Sequence, residues 1–244
     1  MKKRPFWARL ALFVILILGI LFVAKFSGPE FLRMYVETGT GTCQKIPILC
    51  MVPSETIINP KINNEFIGSL VPYEFPKMSI SMPKGFAVIQ ETIKKAYYKR
   101  KKRPYAEKVV YMLHQPPGFF VGLYPQLSKA GVTSDYEFIK RTMHANLGKI
   151  KNVADAFFVI MKGIFTPGLG DQNNVKMVEF HSRGKKGFIN YNLAHTYFDC
   201  NVINEIGGFS KIYIKDKDAS LDLNKVLAIL DTIKDAGFTQ MIAE

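Results

Sequence analysis

The chain has 244 residues, 48% hydrophobic and 22% charged, with a formal net charge of +13. This balance, with 13% aromatic residues and no low-complexity tract or fixed-period repeat, excludes a disordered chain and a solenoid. The positive excess favours acidic partners or surfaces without choosing among them.

Lys2, Lys3, Arg4 and Arg9 precede an unbroken apolar run from Leu10 to Ala24. Its bulky members include Leu10, Leu12, Phe13, Ile15, Leu16, Ile17, Leu18, Ile20, Leu21 and Phe22. At roughly −0.3 to −0.6 kcal/mol per residue at a helix centre, they make membrane insertion favourable by about −5 kcal/mol. The run covers about 22 Å of a hydrocarbon core roughly 30 Å thick, so Phe6, Trp7, Arg9, Lys25 and Phe26 must supply the ends of the span. A cleaved leader is disfavoured because a cut after Ala24 places bulky Phe22 three residues before the bond. The expectation is a single-pass signal anchor in the cytoplasmic (inner) membrane, N-terminus inside, with the rest extracytoplasmic or periplasmic. Five of the basic residues and no acid precede Ser27, so the exported part keeps about +8.

Ser27-Gly28-Pro29-Glu30 opens a short helix that places Phe31, Met34 and Tyr35 on one face, to rest on the membrane or on the domain, and Gly39-Thr40-Gly41 ends it. In an oxidising compartment Cys43 and Cys50 can close a loop worth roughly 2.5 kcal/mol. Pairings with Cys200, or three reduced thiols, are the other options. No Cys-x-x-Cys or His-x-x-x-His spacing offers a metal site, and no cofactor motif is present. Pro53, Pro60, Pro72 and Pro76 mark an irregular connector. The chain divides into 1–26 (anchor), 27–72 (stalk and connector) and 73–244 (domain).

Met78 to Met82 alternates apolar and polar residues and reads as a strand, followed by strands at Ala87 to Tyr98, Val109 to His114 and Phe119 to Tyr124 in an antiparallel meander. Ser134 and Glu137 have capping-box spacing ahead of a helix over Asp135 to Leu147. Asn152 caps a second, strongly apolar helix from Val153 to Phe165. Four more strands follow, at Lys176 to Ser182, Gly187 to Ala194, Thr196 to Ile203 and Phe209 to Lys215, with Arg183-Gly184-Lys185-Lys186 as a hairpin tip. A last amphipathic helix carries Leu221, Leu223, Val226, Leu227, Leu230 and Ile233, opened by Ser220 or Asp218. The fold class expected is α+β: an N-terminal transmembrane helix, then one domain with a mainly antiparallel sheet covered by helices, an α/β/α sandwich.

From Met78 to Ala236 the order of these elements resembles the PsbP-like α/β/α sandwich: a strand entering Pro83-Lys84-Gly85-Phe86, a meander, a helix begun by Ser134-Asp135-Tyr136-Glu137, further strands and a closing Leu-rich helix. The resemblance implies a docking or assembly module without catalytic residues, often at a membrane, and transfers no site residue.

The most distinctive internal feature is Lys94-Lys95-Ala96-Tyr97-Tyr98-Lys99-Arg100-Lys101-Lys102-Arg103, seven positive charges in ten residues. Mutual repulsion favours a projecting hairpin tip. Its functional reading is capture of an anionic lipid, envelope polymer or acidic protein, with Tyr97 and Tyr98 adding interfacial contacts; its bland reading is a solvated tip. Nucleic acid lies on the wrong side of the expected membrane. His195, Asp199 and Cys200, with His181 nearby, are candidates for a nucleophile–base site, but alternation puts His195, Tyr197 and Asp199 on one strand face and Cys200 on the other. No catalytic residue is assigned. The function expected is a membrane-anchored, non-catalytic binding or scaffolding domain for an envelope partner or anionic surface. A lipid or small-molecule binding domain is the alternative, and an exported hydrolase a weaker one.

Overall fold

The computed structural model describes residues 28–90, 107–166 and 174–235. Alternating and continuous apolar runs in the C-terminal half build an antiparallel ladder of β6 (Val175–Ser182), β7 (Lys185–Asn192), β8 (Tyr197–Ile203) and β9 (Phe209–Asp216). Every residue of β8 is buried, as expected for a strand covered on both faces. Arg183 and Gly184, at φ of 41° and 76°, form the two-residue turn that sets the β6–β7 register.

β5 (Lys108–Gln115) joins β9 antiparallel, and β1 (Glu55–Ile58) and β4 (Ala87–Gln90) complete the sheet at its edges, both parallel to their neighbours. The strand order is β1-β6-β7-β8-β9-β5-β4. A smaller sheet orders β10 (Lys234–Asp235), β3 (Met78–Met82) and β2 (Val71–Glu74).

The large sheet separates two apolar layers. On one face lie α1 (28–40), the 3-10 turn Pro47–Cys50, α3 (Phe119–Leu123), α4 (Asp135–His144) and α5 (Val153–Phe165), around Phe138, Phe158, Phe165 and Phe209. The other face is covered by the small sheet and α6 (Leu223–Asp231), which bury Met78, Ile80, Met82, Val226, Leu227 and Leu230 against Phe180, Phe198 and Ile212. The Ser134 and Asn152 caps form as their spacing predicts, their side-chain oxygens accepting from the amides of Glu137 (3.2 Å) and Asp155 (2.9 Å).

The expected architecture is corrected. The described domain is a mixed α+β fold with two sheets, and among the described residues no helix is long and apolar enough to cross a membrane. The span expected over Phe6 to Phe26, with its core from Leu10 to Phe22, lies outside the described residues. The meander is corrected too: β4 and β5 flank the Lys94 to Arg103 run but pair in parallel, so they are not the two arms of a hairpin. Alternation fixes which face of a strand is buried, not which way it runs.

Phe119 to Tyr124, expected as a strand, contains α3. Gly118 turns the chain at φ 76°, and the buried Asp135 Oδ1 accepts from the amides of Phe120 (2.9 Å) and Val121 (3.1 Å). A cap supplied from fifteen residues downstream leaves no local signal. The Pro53 to Pro76 connector holds β1, α2 (Asn64–Gly68) and β2, and the core reaches back to Val36, Ile48 and Leu49, well ahead of Tyr73. Asp222, rather than Ser220 or Asp218, caps α6, its Oδ1 accepting from the Lys225 amide at 2.8 Å.

Candidate functional site

Spacing of i, i+4 and i+8 along α4 lines up Tyr136, Lys140 and His144 on one stripe, and the stripe lies over Glu179 of β6. Alternation on β6 brings His181 to the same sheet face as Glu179, while β7 supplies Lys186 opposite His181 and buried Phe188 opposite Glu179. Glu179 Oε1 accepts from the Tyr136 hydroxyl at 2.5 Å and lies 3.1 Å from His181 Nε2 and 3.8 Å from Lys140 Nζ. His144 Nε2 faces Oε2 at 3.7 Å. The Lys186 ammonium sits 4.0 Å from the centre of the Tyr136 ring, a cation–π contact.

The carboxylate is sunk beneath its cations. The Glu179 side chain is 7% exposed, whereas those of Lys140, His144 and His181 are more than 40% exposed. Burial pushes the Glu179 carboxyl up, but the hydrogen bonds from Tyr136 and His181 and the charge of Lys140 outweigh it and hold the group below its ordinary value. Burial raises the Tyr136 phenol, and its bond to Glu179 raises it further. Burial lowers His144, helped by Lys140 and Lys162 and opposed by Glu179. At neutral pH the centre is therefore an ionised, hydrogen-bonded carboxylate beneath a neutral His144 and two lysines. Beside it an open cleft of about 280 Å³ is lined by Arg141, His144, Asn146, Lys149, Asp155 and Phe158, so His144 belongs to both network and cleft.

The other polar clusters are turned inward. Lys162 of α5, fully buried, donates to the carbonyls of Met51, Met143 (2.8 Å) and Ala145 (2.8 Å), and burial lowers its ammonium to about 7. Lys211 pairs with Asp199 and donates to Asn201 Oδ1 (3.1 Å) and the Phe165 carbonyl, tying the end of α5 to the sheet. Burial raises the Asp199 carboxyl against the pull of Lys211. On the opposite face His114 Nδ1 lies 3.0 Å from Ser210 Oγ and 3.8 Å from Asp235 Oδ1. A nucleophile–base–carboxylate relay uses the two ring nitrogens separately, and here both partners approach the same one.

Among the residues singled out in the sequence, Cys43 and Cys50 sit at disulfide distance, their Cα atoms 5.7 Å apart. Lys94, Lys95, Tyr97, Tyr98, Lys99, Arg100, Lys101, Lys102 and Arg103 lie outside the described residues. Cys200 is fully buried, and burial pushes its thiol up, away from thiolate chemistry. His195, expected on the Asp199 face, sits in a turn at φ 54° and stacks on Phe198 on the opposite side of the strand. His181 joins Glu179 and Tyr136 instead of Asp199. Among the described residues no group of three or more His, Cys, Asp or Glu side chains is arranged to hold a metal ion.

The sequence does not mark Tyr136, Lys140, His144, Glu179 and Lys186 as a site; it carries two partial signals, the four-residue spacing on α4 and the Glu179-x-His181 alternation on β6. Neither says that helix and strand meet. The chain matches no family model, no curated protein and no solved structure.

Proposed function

We propose that the protein is a non-catalytic binding domain that works outside the cytoplasm and docks an acidic envelope protein on the cation-rimmed face around Glu179. The observation that carries this reading is the disposition of charge: Glu179 is satisfied from within by Tyr136 and His181, which leaves Lys140 and Lys186, with Arg141 and Lys149 along the cleft, to meet a partner's carboxylates. The Cys43–Cys50 pair supports an oxidising compartment. The Lys94 to Arg103 run adds a second cationic element on sequence grounds, and the PsbP-like resemblance implies the same kind of docking role.

The test uses poly-L-glutamate as the acidic probe, with binding followed by fluorescence anisotropy across a salt series. At about 0.5–1 kcal/mol per exposed cation at low ionic strength, Lys140→Ser with Lys186→Ser weakens binding roughly 5- to 30-fold, and the wild-type affinity falls with salt. Lys84→Ser with Lys234→Ser, two exposed lysines elsewhere, is the control and changes little. Replacing Lys99, Arg100, Lys101, Lys102 and Arg103 by Ser separately measures the basic run. Binding that ignores salt, or that the Lys140/Lys186 pair affects no more than the control, overturns the proposal for this face.

A further inference from the structure

Helix α1 has three faces. Leu32 and the buried Val36 pack on the core; Arg33 and Glu37 pair at 2.9 Å on a second face. On the third, Phe31, Met34 and Tyr35 stand 63, 57 and 69% exposed. At 3.6 residues per turn these three share one stripe. At its C-terminal end α1 borders an apolar groove of about 360 Å³, in which Gly39 and Thr40 face Ile160 and Ile164 on the outer side of α5. The buried Ile48 and Leu49 also line this groove, while Ile160 and Ile164 are exposed, so it opens at the surface of the helical layer.

We propose that α1 lies along the headgroup layer of a phospholipid bilayer, with the Phe31, Met34 and Tyr35 stripe turned into the lipid. The occupant is argued from the chain itself. The fifteen apolar residues Leu10 to Ala24, outside the described residues, end four residues before Gly28. Even fully extended, four residues reach at most about 14 Å, so a lipid phase that takes up that run brings the start of α1 to its surface. The intervening Lys25 suits a headgroup, and aromatic rings such as those of Phe31 and Tyr35 favour the same depth. Residues 28–40 make about 20 Å of helix, short of a hydrocarbon core of roughly 30 Å, so α1 lies along the surface instead of crossing it. This inference uses no residue of the Glu179 face and stands or falls separately from the docking proposal.

The chain has a single tryptophan, Trp7, which permits a clean optical test on the full-length protein. The Trp7→Phe, Tyr35→Trp double variant is reconstituted with phosphatidylethanolamine–phosphatidylglycerol vesicles whose acyl chains are brominated. Bromine quenches an indole in contact with it, so the emission of this variant falls at least twofold against unbrominated vesicles. The Trp7→Phe, Leu193→Trp control, with its reporter on the exposed turn between β7 and β8, is unchanged. Trp7 in the wild type reports whether the chain engages lipid at all. Quenching of Trp7 in the wild type without quenching of the Tyr35→Trp reporter overturns the proposal for α1 alone. Unquenched Trp7 and failure to float with the vesicles overturn it together with its premise. A Tyr35→Trp reporter that is insensitive to bromine but shielded in a cross-linked dimer replaces the lipid by a second copy.

Discussion

Lys162→Met tests the buried ammonium of α5 most directly. Methionine keeps the length of the stem and removes the charge. Burial lowers the wild-type pKa from 10.5 to about 7, so above pH 7 the folded chain binds fewer protons than the unfolded one. The sign follows: below pH 7 the group is charged in both states and the full desolvation penalty is present, and stability rises with pH as the folded-state amine deprotonates, until the unfolded chain does the same near 10.5. The rise attributable to this group between pH 6 and pH 9 is on the order of 2–3 kcal/mol. At acid pH the substitution removes the buried charge but orphans three carbonyls at roughly 1–3 kcal/mol each, so the two effects nearly offset and the absolute stability there discriminates poorly. The difference between variant and wild type as a function of pH does discriminate. Urea unfolding at pH 6, 7, 8 and 9 is expected to show the stability of the wild type rising with pH relative to that of Lys162→Met. Parallel curves for the two proteins over this range would refute the depressed amine and mean that the three carbonyls fully compensate the charge.

Two further substitutions probe how the helical layer is assembled. Asp135→Ala removes the acceptor for the amides of Phe120 and Val121 and should destabilise the fold by about 2 kcal/mol, read as a lower urea midpoint; an unchanged midpoint means that Gly118 alone holds α3. Reducing the Cys43–Cys50 pair, or replacing both by Ser, should cost about 2.5 kcal/mol, because the loop it closes carries the buried Ile48 and Leu49; equal midpoints with and without dithiothreitol, or free thiols at both positions by mass spectrometry, would refute the bridge.

The parts of the fold that the sequence discloses are those with short-range causes. Ser134 and Asn152 lie three residues from the amides they cap, and Val175 to Asp216 alternates or runs apolar through four strands joined in chain order. What stays hidden depends on partners distant in the chain. α3 is capped by Asp135, β1 meets β6 more than a hundred residues away, and β4 runs parallel to β5 through a pairing that no local pattern encodes. The Glu179 site is of this second kind, because Tyr136 and His144 are read as part of a helix and Glu179 as part of a strand, and only their packing makes them a network.

A buried ionisable group is tolerable when its partners are internal, and the three inward clusters use that provision to bind layers together: Lys162 joins α5 to the end of α4 and to the segment after Cys50, Lys211 joins the sheet to the end of α5, and His114 with Ser210 and Asp235 joins the large sheet to the small one. The Glu179 network differs in one physical respect. Its anion is buried and satisfied, but Lys140 and His144 above it remain more than two-fifths exposed, so they can exchange water for a partner's acidic groups without dismantling the core. Acidification strengthens this asymmetry, since His144, held neutral near pH 7 by burial and by Lys140 and Lys162, gains a proton as the pH falls and adds a positive charge to the rim. An acidic ligand bound there should bind more tightly in mild acid, and replacing His144 with Gln should remove that gain while leaving the affinity at pH 7.5 within about twofold, since the neutral ring contributes little charge at that pH. An affinity for poly-L-glutamate that is flat with pH in the wild type would place the docking contacts away from His144.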